Sequence, residues 1–159
     1  MLSTNDKKII KYIYTTVKDK NIIWAIVGSA NMALNGIDVK PNDIDIITTP
    51  NDLKIFSRIF KQYITKPICK KAPCRKGCPE FYELKLNIDD IEIHLVGEEE
   101  TDVYFSRIKK ENINFCLLDD CKIPCINLKL EAEAYESTNR MSKVKLLKDF
   151  LEKRSINEK

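Results

Sequence analysis

Two hydrophobic rhythms divide the chain. Ile9, Ile10, Ile13 and Val17 recur at helical spacing, predicting an amphipathic helix over 4–19 that Ser3, Thr4 or Asn5 can cap. The β-branched run Ile22 to Val27, bounded by Asn21 and Gly28, predicts a buried strand. Ser29 to Leu34 reads as a short helix stopped by Asn35-Gly36. Asp43-Ile44-Asp45-Ile46-Ile47-Thr48 alternates polar and apolar, predicting a second strand. Thr49-Pro50-Asn51-Asp52 then opens a helix: a cap, a proline in the first turn and an acid near the positive end. Leu53, Phe56, Ile59 and Phe60 give it a core face. Residues 66–79 carry Pro67, Pro73, Gly77 and Pro79 and read as a loop. Phe81 to Leu86 and Ile91 to Val96 alternate as two strands around a turn at Asn87 to Asp90. Glu98-Glu99-Glu100 reads as a solvated acidic turn, and Ile113 to Leu118 as another strand. Leu128 to Glu136 and Met141 to Lys153 read as helices broken at Ser137-Thr138-Asn139. Such interspersed elements predict one α/β (α+β) domain over 1–159, a small mixed sheet flanked by helices. Its core is expected over about 5–125 and a helical tail over about 126–155.

Composition narrows the class. The chain has 159 residues, 32% charged and 43% hydrophobic, which suits a globular protein and excludes a disordered one. The longest apolar runs are too short to span a bilayer. Met1 to Lys8 lacks the apolar stretch of a signal peptide, so the expected compartment is the cytoplasm and no membrane partner is expected. Cysteines there serve as thiols, metal ligands or catalytic groups. The net charge of +3 does not by itself imply a nucleic-acid partner.

The candidate chemistry begins at Val27-Gly28-Ser29-Ala30-Asn31, where a strand turns into a helix. A residue without Cβ lets a ligand approach the backbone, and the Ser29 hydroxyl adds a donor. There is no Gly-x-Gly-x-x-Gly and no Gly-Lys-Ser/Thr, which leaves a dinucleotide fold and a Walker-type loop unsupported. On the next strand Asp43 and Asp45 project to one side, while Ile44 and Ile46 point to the other. Two carboxylates so placed repel each other unless a cation lies between them. Mg²⁺ suits them, because it takes oxygen ligands and shares them with substrate phosphates. The ordinary alternative makes Asp43 a turn cap and Asp45 a solvated strand residue. A third acid comes from Asp90-Ile91-Glu92-Ile93-His94, with Glu92 as the choice and Asp90 as the fallback. His94, the single histidine, reads as a hydrogen-bonded or surface histidine beside acids, and no nucleophilic triad can be built around it.

Val27-Gly28-Ser29, Asp43-Ile44-Asp45 and Ile91-Glu92-Ile93 together resemble the nucleotidyltransferase superfamily that includes DNA polymerase beta, in its minimal bacterial and archaeal members. The resemblance covers roughly 5–96. It implies a nucleotidyltransferase fold with C-terminal helices. It also implies transfer of a nucleoside monophosphate from an NTP to an unidentified hydroxyl acceptor, with release of pyrophosphate. Asp43, Asp45 and Glu92 would be catalytic and hold Mg²⁺ or Mn²⁺. Gly28 and Ser29 would hold the β,γ-phosphates, with Asn31 and Lys40 completing the phosphate set. The superfamily also contains silent members that only bind nucleotides or partners.

Two features stand apart. Residues 61–79 hold Lys61, Lys66, Lys70, Lys71, Arg75 and Lys76 and no acid, so this stretch could steer a triphosphate or bind RNA, or be an ordinary solvated loop. The cysteines form two sets of one spacing, Cys69/Cys74/Cys78 and Cys116/Cys121/Cys125, neither matching a standard zinc pattern. Cys69, Cys74 and Cys78 could bind Zn²⁺ with one ligand from the second set, or form a disulfide. Cys116 reads as plain core. The C-terminal helices carry a wide apolar stripe, Leu146, Leu147, Phe150 and Leu151, expected mostly on the sheet, with a homodimer or partner contact open. Glu131, Glu133, Lys145 and Lys148 are expected on their solvated face.

Overall fold

A computed structural model describes residues 1–72, 80–98 and 108–157. The amphipathic pattern at the start becomes α1, Thr4–Val17, capped by Ser3 in a reciprocal box with Asp6. Then come β1, Trp24–Val27; α2, Gly28–Leu34; β2, Ile44–Thr48; and α3, Pro50–Ile59. Thr49 caps α3 with Pro50 in its first turn, as its sequence predicts. The chain continues through β3, Ile64–Lys71; β4, Phe81–Ile88; β5, Ile91–Gly97; β6, Ile113–Leu118; and β7, Cys121–Ile126. It ends in α4, Leu128–Ser137, and α5, Met141–Asn157.

One seven-stranded sheet runs in the order β3-β4-β5-β2-β1-β7-β6. It is mixed: β2 pairs parallel with β5 and β1 parallel with β7, while the remaining neighbours are antiparallel. Ile44 and Ile46 of β2 face a large core with Ile93, Leu95, Leu84 and Leu86, covered by Ile9, Ile10 and Ile13 of α1 and Leu53 and Phe56 of α3. Asp45 therefore points to the opposite face, the one that Ile47, Ala25 and Val27 share.

Two strands depart from the sequence reading. Residues 64–71, most of them expected in the 66–79 loop, form β3. A proline is tolerated there because β3 is an edge strand, and register shifts between Ile64/Lys66 and Lys66/Cys69 lie beside Pro67. β7 escapes notice because Pro124 interrupts its alternation, yet it pairs with β6 from Ile113↔Ile126 to Leu118↔Cys121. The β4–β5 turn is tighter than expected. It is Asp89-Asp90 alone, both with left-handed φ, as a two-residue hairpin requires. Lys8 of α1 pairs with Asp89 and Lys11 with Asp119 of the β6–β7 turn, so one helix ties down both hairpin ends.

The C-terminal helices pack differently from expectation. Leu128, Ala132, Tyr135, Val144 and Leu147 close on Met32, Ile37 and Val39, at and just after α2, rather than on the sheet. Phe150 and Leu151 are partly buried against that cluster, and Leu146 is exposed. No helix among the described residues is long and apolar enough to cross a membrane. Cys74, Cys78, Arg75, Lys76, Glu99 and Glu100 lie outside the described residues.

Candidate active site

The site is built where α2 leaves β1. Gly28 has a φ of +71°, a left-handed backbone that favours glycine. A Cβ there would sit 2.8 Å from Asp45 Oδ2, so glycine lets the carboxylate of β2 lie against the turn. The register explains the approach, because Val27 is paired with Asp45. On its other side Asp45 pairs with His94 of β5, and Asp43 lies just before β2. Burial, then the charges of Asp45 and Glu92, raise the Asp43 carboxyl above its ordinary range. The charges of Asp45 and Glu92 are thus felt at Asp43, whereas Asp90 sits exposed in the hairpin turn.

His94 links this cluster to the neighbouring strands. Its Nδ1 lies 3.3 Å from Asp45 Oδ1 and its Nε2 lies 3.0 Å from Glu83 Oε2. The Asp45 hydrogen bond, reinforced by Glu83, holds the imidazole above its usual range against the opposing effect of burial. Burial alone would raise Glu83, but Lys66 and His94 outweigh it and bring its carboxyl down. Lys85 holds Glu92 at 2.9 Å. His94 is therefore the hydrogen-bonded histidine beside acids that the sequence suggested, and Glu83 is a partner the sequence did not reveal.

The C-terminal helices supply the groups that sequence reasoning missed. Lys143 Nζ of α5 donates to Ser29 Oγ at 3.3 Å. Burial of Tyr135 of α4, with the Glu131 charge behind it, pushes its phenol up to about 12 against the lowering effect of Ser29. Glu131, expected on a solvated face, is only 2% exposed. It accepts from Asn31 Nδ2 at 2.8 Å and from the Gly28 backbone N–H. Asn31 is fully buried and also donates to the Ile126 carbonyl, so it fastens the turn from behind. Lys40 stands exposed on the connection between α2 and β2. The only clue in the sequence was the interruption of the α4 apolar pattern by Glu131, which pattern alone assigns to solvent.

Burial pushes the Glu131 carboxyl from 4.5 up to about 7, although the Asn31 and Gly28 donors oppose it. A carboxyl raised on folding binds its proton more firmly in the native state. Its contribution is present below pH 4.5 and is lost as pH rises through about 7. The loss is on the order of 3 kcal/mol. Melting curves of the wild type and Glu131→Gln between these limits are expected to differ by a slope, with the wild type losing several degrees more as pH rises.

The cysteine expectation is corrected in one respect. Cys69 lies on β3 and Cys116, Cys121 and Cys125 on β6 and β7, at opposite edges of the sheet. At about 4.8 Å per strand the edges stand roughly 29 Å apart, so Cys69 and the second set cannot share one ion. Cys116 is buried, as a core thiol should be. In the basic stretch, Lys66 and Lys71 pair with Glu83, and Lys70 with Glu80.

Among the described residues no three His, Cys, Asp or Glu side chains form a ready-made metal cage. Asp45 is engaged by His94, and Glu92 by Lys85. The oxygen donors nevertheless suit Mg²⁺, which is commonly held by one or two carboxylates with substrate phosphates completing its shell. The raised Asp43 carboxyl marks negative charge that such a cation would neutralise.

A mixed sheet carrying a Gly-Ser turn against paired aspartates defines a protein of the nucleotidyltransferase superfamily. The sequence profile of the aminoglycoside-2''-adenylyltransferase family matches residues 9–147, and the chain belongs to that family. Comparison with curated protein sequences finds no match. Solved structures share the fold. TM1012 of Thermotoga maritima, assigned as a nucleotidyltransferase, aligns with a TM-score of 0.76 at 24% identity, over 96% of each chain. ANT(2'')-Ia in complex with adenylyl-2''-tobramycin aligns with a TM-score of 0.64 at 11% identity, over 97% of this chain and 94% of that one. A solution structure of ANT(2'')-Ia aligns with a TM-score of 0.55 at 14% identity, over 97% and 95%.

Proposed function

We propose that the protein transfers a nucleoside monophosphate from an NTP to a hydroxyl acceptor and releases pyrophosphate. The observation that carries this reading is Asp45 lying against a glycine whose missing side chain makes room for its Oδ2, with the charges of Asp45 and Glu92 felt at Asp43. Asp43 and Asp45 would hold Mg²⁺ or Mn²⁺, with Glu92 joining them when Lys85 releases it. Such an ion polarises a phosphoryl oxygen and lowers the pKa of an attacking hydroxyl. Ser29 and Lys143 would receive the leaving phosphates, one with a hydroxyl and the other with a mobile cation. Glu92 can take the proton of the attacking hydroxyl, being a carboxylate beside Asp43. Glu131 and Asn31 hold the turn in place from behind.

The test incubates the protein with each α-labelled NTP, Mg²⁺ or Mn²⁺, and cell extract as the acceptor pool. Label on an acceptor together with pyrophosphate supports transfer. NTP binding without either product moves the reading to a silent nucleotide-binding module. Lys143→Met is expected to weaken NTP binding about tenfold to a hundredfold, the worth of one charged hydrogen bond to phosphate. Calorimetric titration with a nonhydrolysable NTP measures it, and an unchanged affinity removes Lys143 from the phosphate set.

A further inference from the structure

Asp45 has a different neighbour on each side. Toward β1 lies Val27, then the Gly28-Ser29 turn with Lys143. Toward β5 lies His94, followed by Lys85 of β4 and Lys66 of β3. In an in-line displacement the attacking and leaving oxygens stand on opposite sides of phosphorus. With the leaving phosphates at Ser29 and Lys143, the acceptor hydroxyl must arrive over the β5–β4–β3 face.

That face carries three lysines, each paired with a glutamate. Lys66 Nζ lies 2.7 Å and Lys71 Nζ 3.8 Å from Glu83 Oε1, while His94 lies 3.0 Å from the other oxygen. Two lysines therefore share one carboxylate, whose other oxygen is taken by His94. The carboxylate is at the bottom, its side chain 11% exposed, and the two lysine side chains stand at the rim, 41% and 37% exposed. Lys85 has Glu92 as its partner and becomes available when that acid turns to a metal. Lys66, Lys71 and Lys85 thus meet two glutamates, Glu83 and Glu92, which leaves one positive charge in excess at the rim.

We propose that the acceptor is a small hydroxyl compound bearing a carboxylate or phosphate group, seated by Lys66, Lys71 and Lys85. This rests on the transfer reading above. A polyamine such as the tobramycin found as its adenylyl product with ANT(2'')-Ia would meet like charges here. The family's description therefore does not carry over to the acceptor of this chain.

The test separates an ultrafiltered small-molecule extract on anion and cation exchangers and offers each fraction to the wild type with α-labelled NTP. Acceptor activity is expected in the fraction retained by the anion exchanger, and Lys66→Glu with Lys71→Glu should reduce it at least tenfold. Lys70→Glu is the control, since Lys70 pairs with Glu80 and lies on the other face of β3. Prior phosphatase treatment abolishes acceptance if the group is a phosphate and spares it if it is a carboxylate. Acceptance in the cation-retained, unretained or macromolecular fraction overturns the proposal. If no fraction accepts label, the transfer reading fails, and anion binding decides the lysine site separately. Inorganic phosphate, added at constant ionic strength, should then give saturable NMR shifts at Lys66 and Lys71 that the double variant loses. Absence of those shifts overturns the site itself.

Discussion

Asp43→Asn combined with Asp45→Asn is expected to abolish transfer while leaving the fold intact. Removing the carboxylates that would hold the metal takes away charge stabilisation worth several kcal/mol, so a fall of at least about a thousandfold is expected. The stability effect of Asp43→Asn alone should have the opposite sign. Burial and the nearby Asp45 and Glu92 raise the Asp43 carboxyl above its ordinary range, so its ionised form is unfavourable in the metal-free protein. That cost is absent at low pH and sets in as pH rises past the ordinary carboxylate range. Neutralising Asp43 should therefore raise the melting temperature at neutral pH in chelator and remove the further gain that added Mg²⁺ is expected to give the wild type. Thermal melts with and without Mg²⁺ measure both effects. A variant that melts lower in chelator and keeps its Mg²⁺ response would show Asp43 to be structural. Trade of stability for function is the usual signature of a site that gathers like charges before its ligand arrives.

Gly28→Ala should damage both stability and activity. The left-handed backbone at +71° costs an alanine about 1–2 kcal/mol. The new methyl would also stand 2.8 Å from Asp45 Oδ2, so the carboxylate must move. Gly36 provides the control. It has a φ of +87° with nothing within 4 Å of its Cβ position, so Gly36→Ala carries the backbone strain alone. Both variants should melt several degrees lower. Only Gly28→Ala should also lose Mg²⁺-dependent stabilisation and transfer, because only there does the methyl displace Asp45, the proposed metal ligand. Equal behaviour of the two variants would mean that Gly28 is required for the turn and not for the site.

Several parts of this reasoning were available before any coordinates. The hydrophobic pattern placed α1, α3, β1, β2, β4, β5 and β6 within a few residues, by the period of a buried face in α1 and α3 and by an unbroken apolar run in β1, which is buried on both faces. The two-residue spacing of Asp43 and Asp45 with intervening Ile44 predicted a common face from the pleat of a strand, although β2 begins at Ile44 and Asp43 lies just before it. Gly28-Ser29 marked the turn. These features are local, and local sequence determines them.

What the sequence could not settle was which distant residues meet. β3 and β7 were hidden by Pro67 and Pro124, the first on an edge strand and the second in a strand that pairs with β1 at Ile26↔Cys125 and with β6 along its length. Glu131 looked solvated because helical period cannot distinguish a polar residue facing water from one facing buried donors such as Asn31 and the Gly28 N–H. Lys143, 114 residues from Ser29, reaches it only because α4 and α5 fold back onto α2. The chain by itself determined most of the elements and the spacing of the paired acids, through hydrophobic pattern and sequence separation. Tertiary packing decided the strand order, the burial of Glu131 and the cations facing the site, because those depend on contacts between residues far apart in the chain.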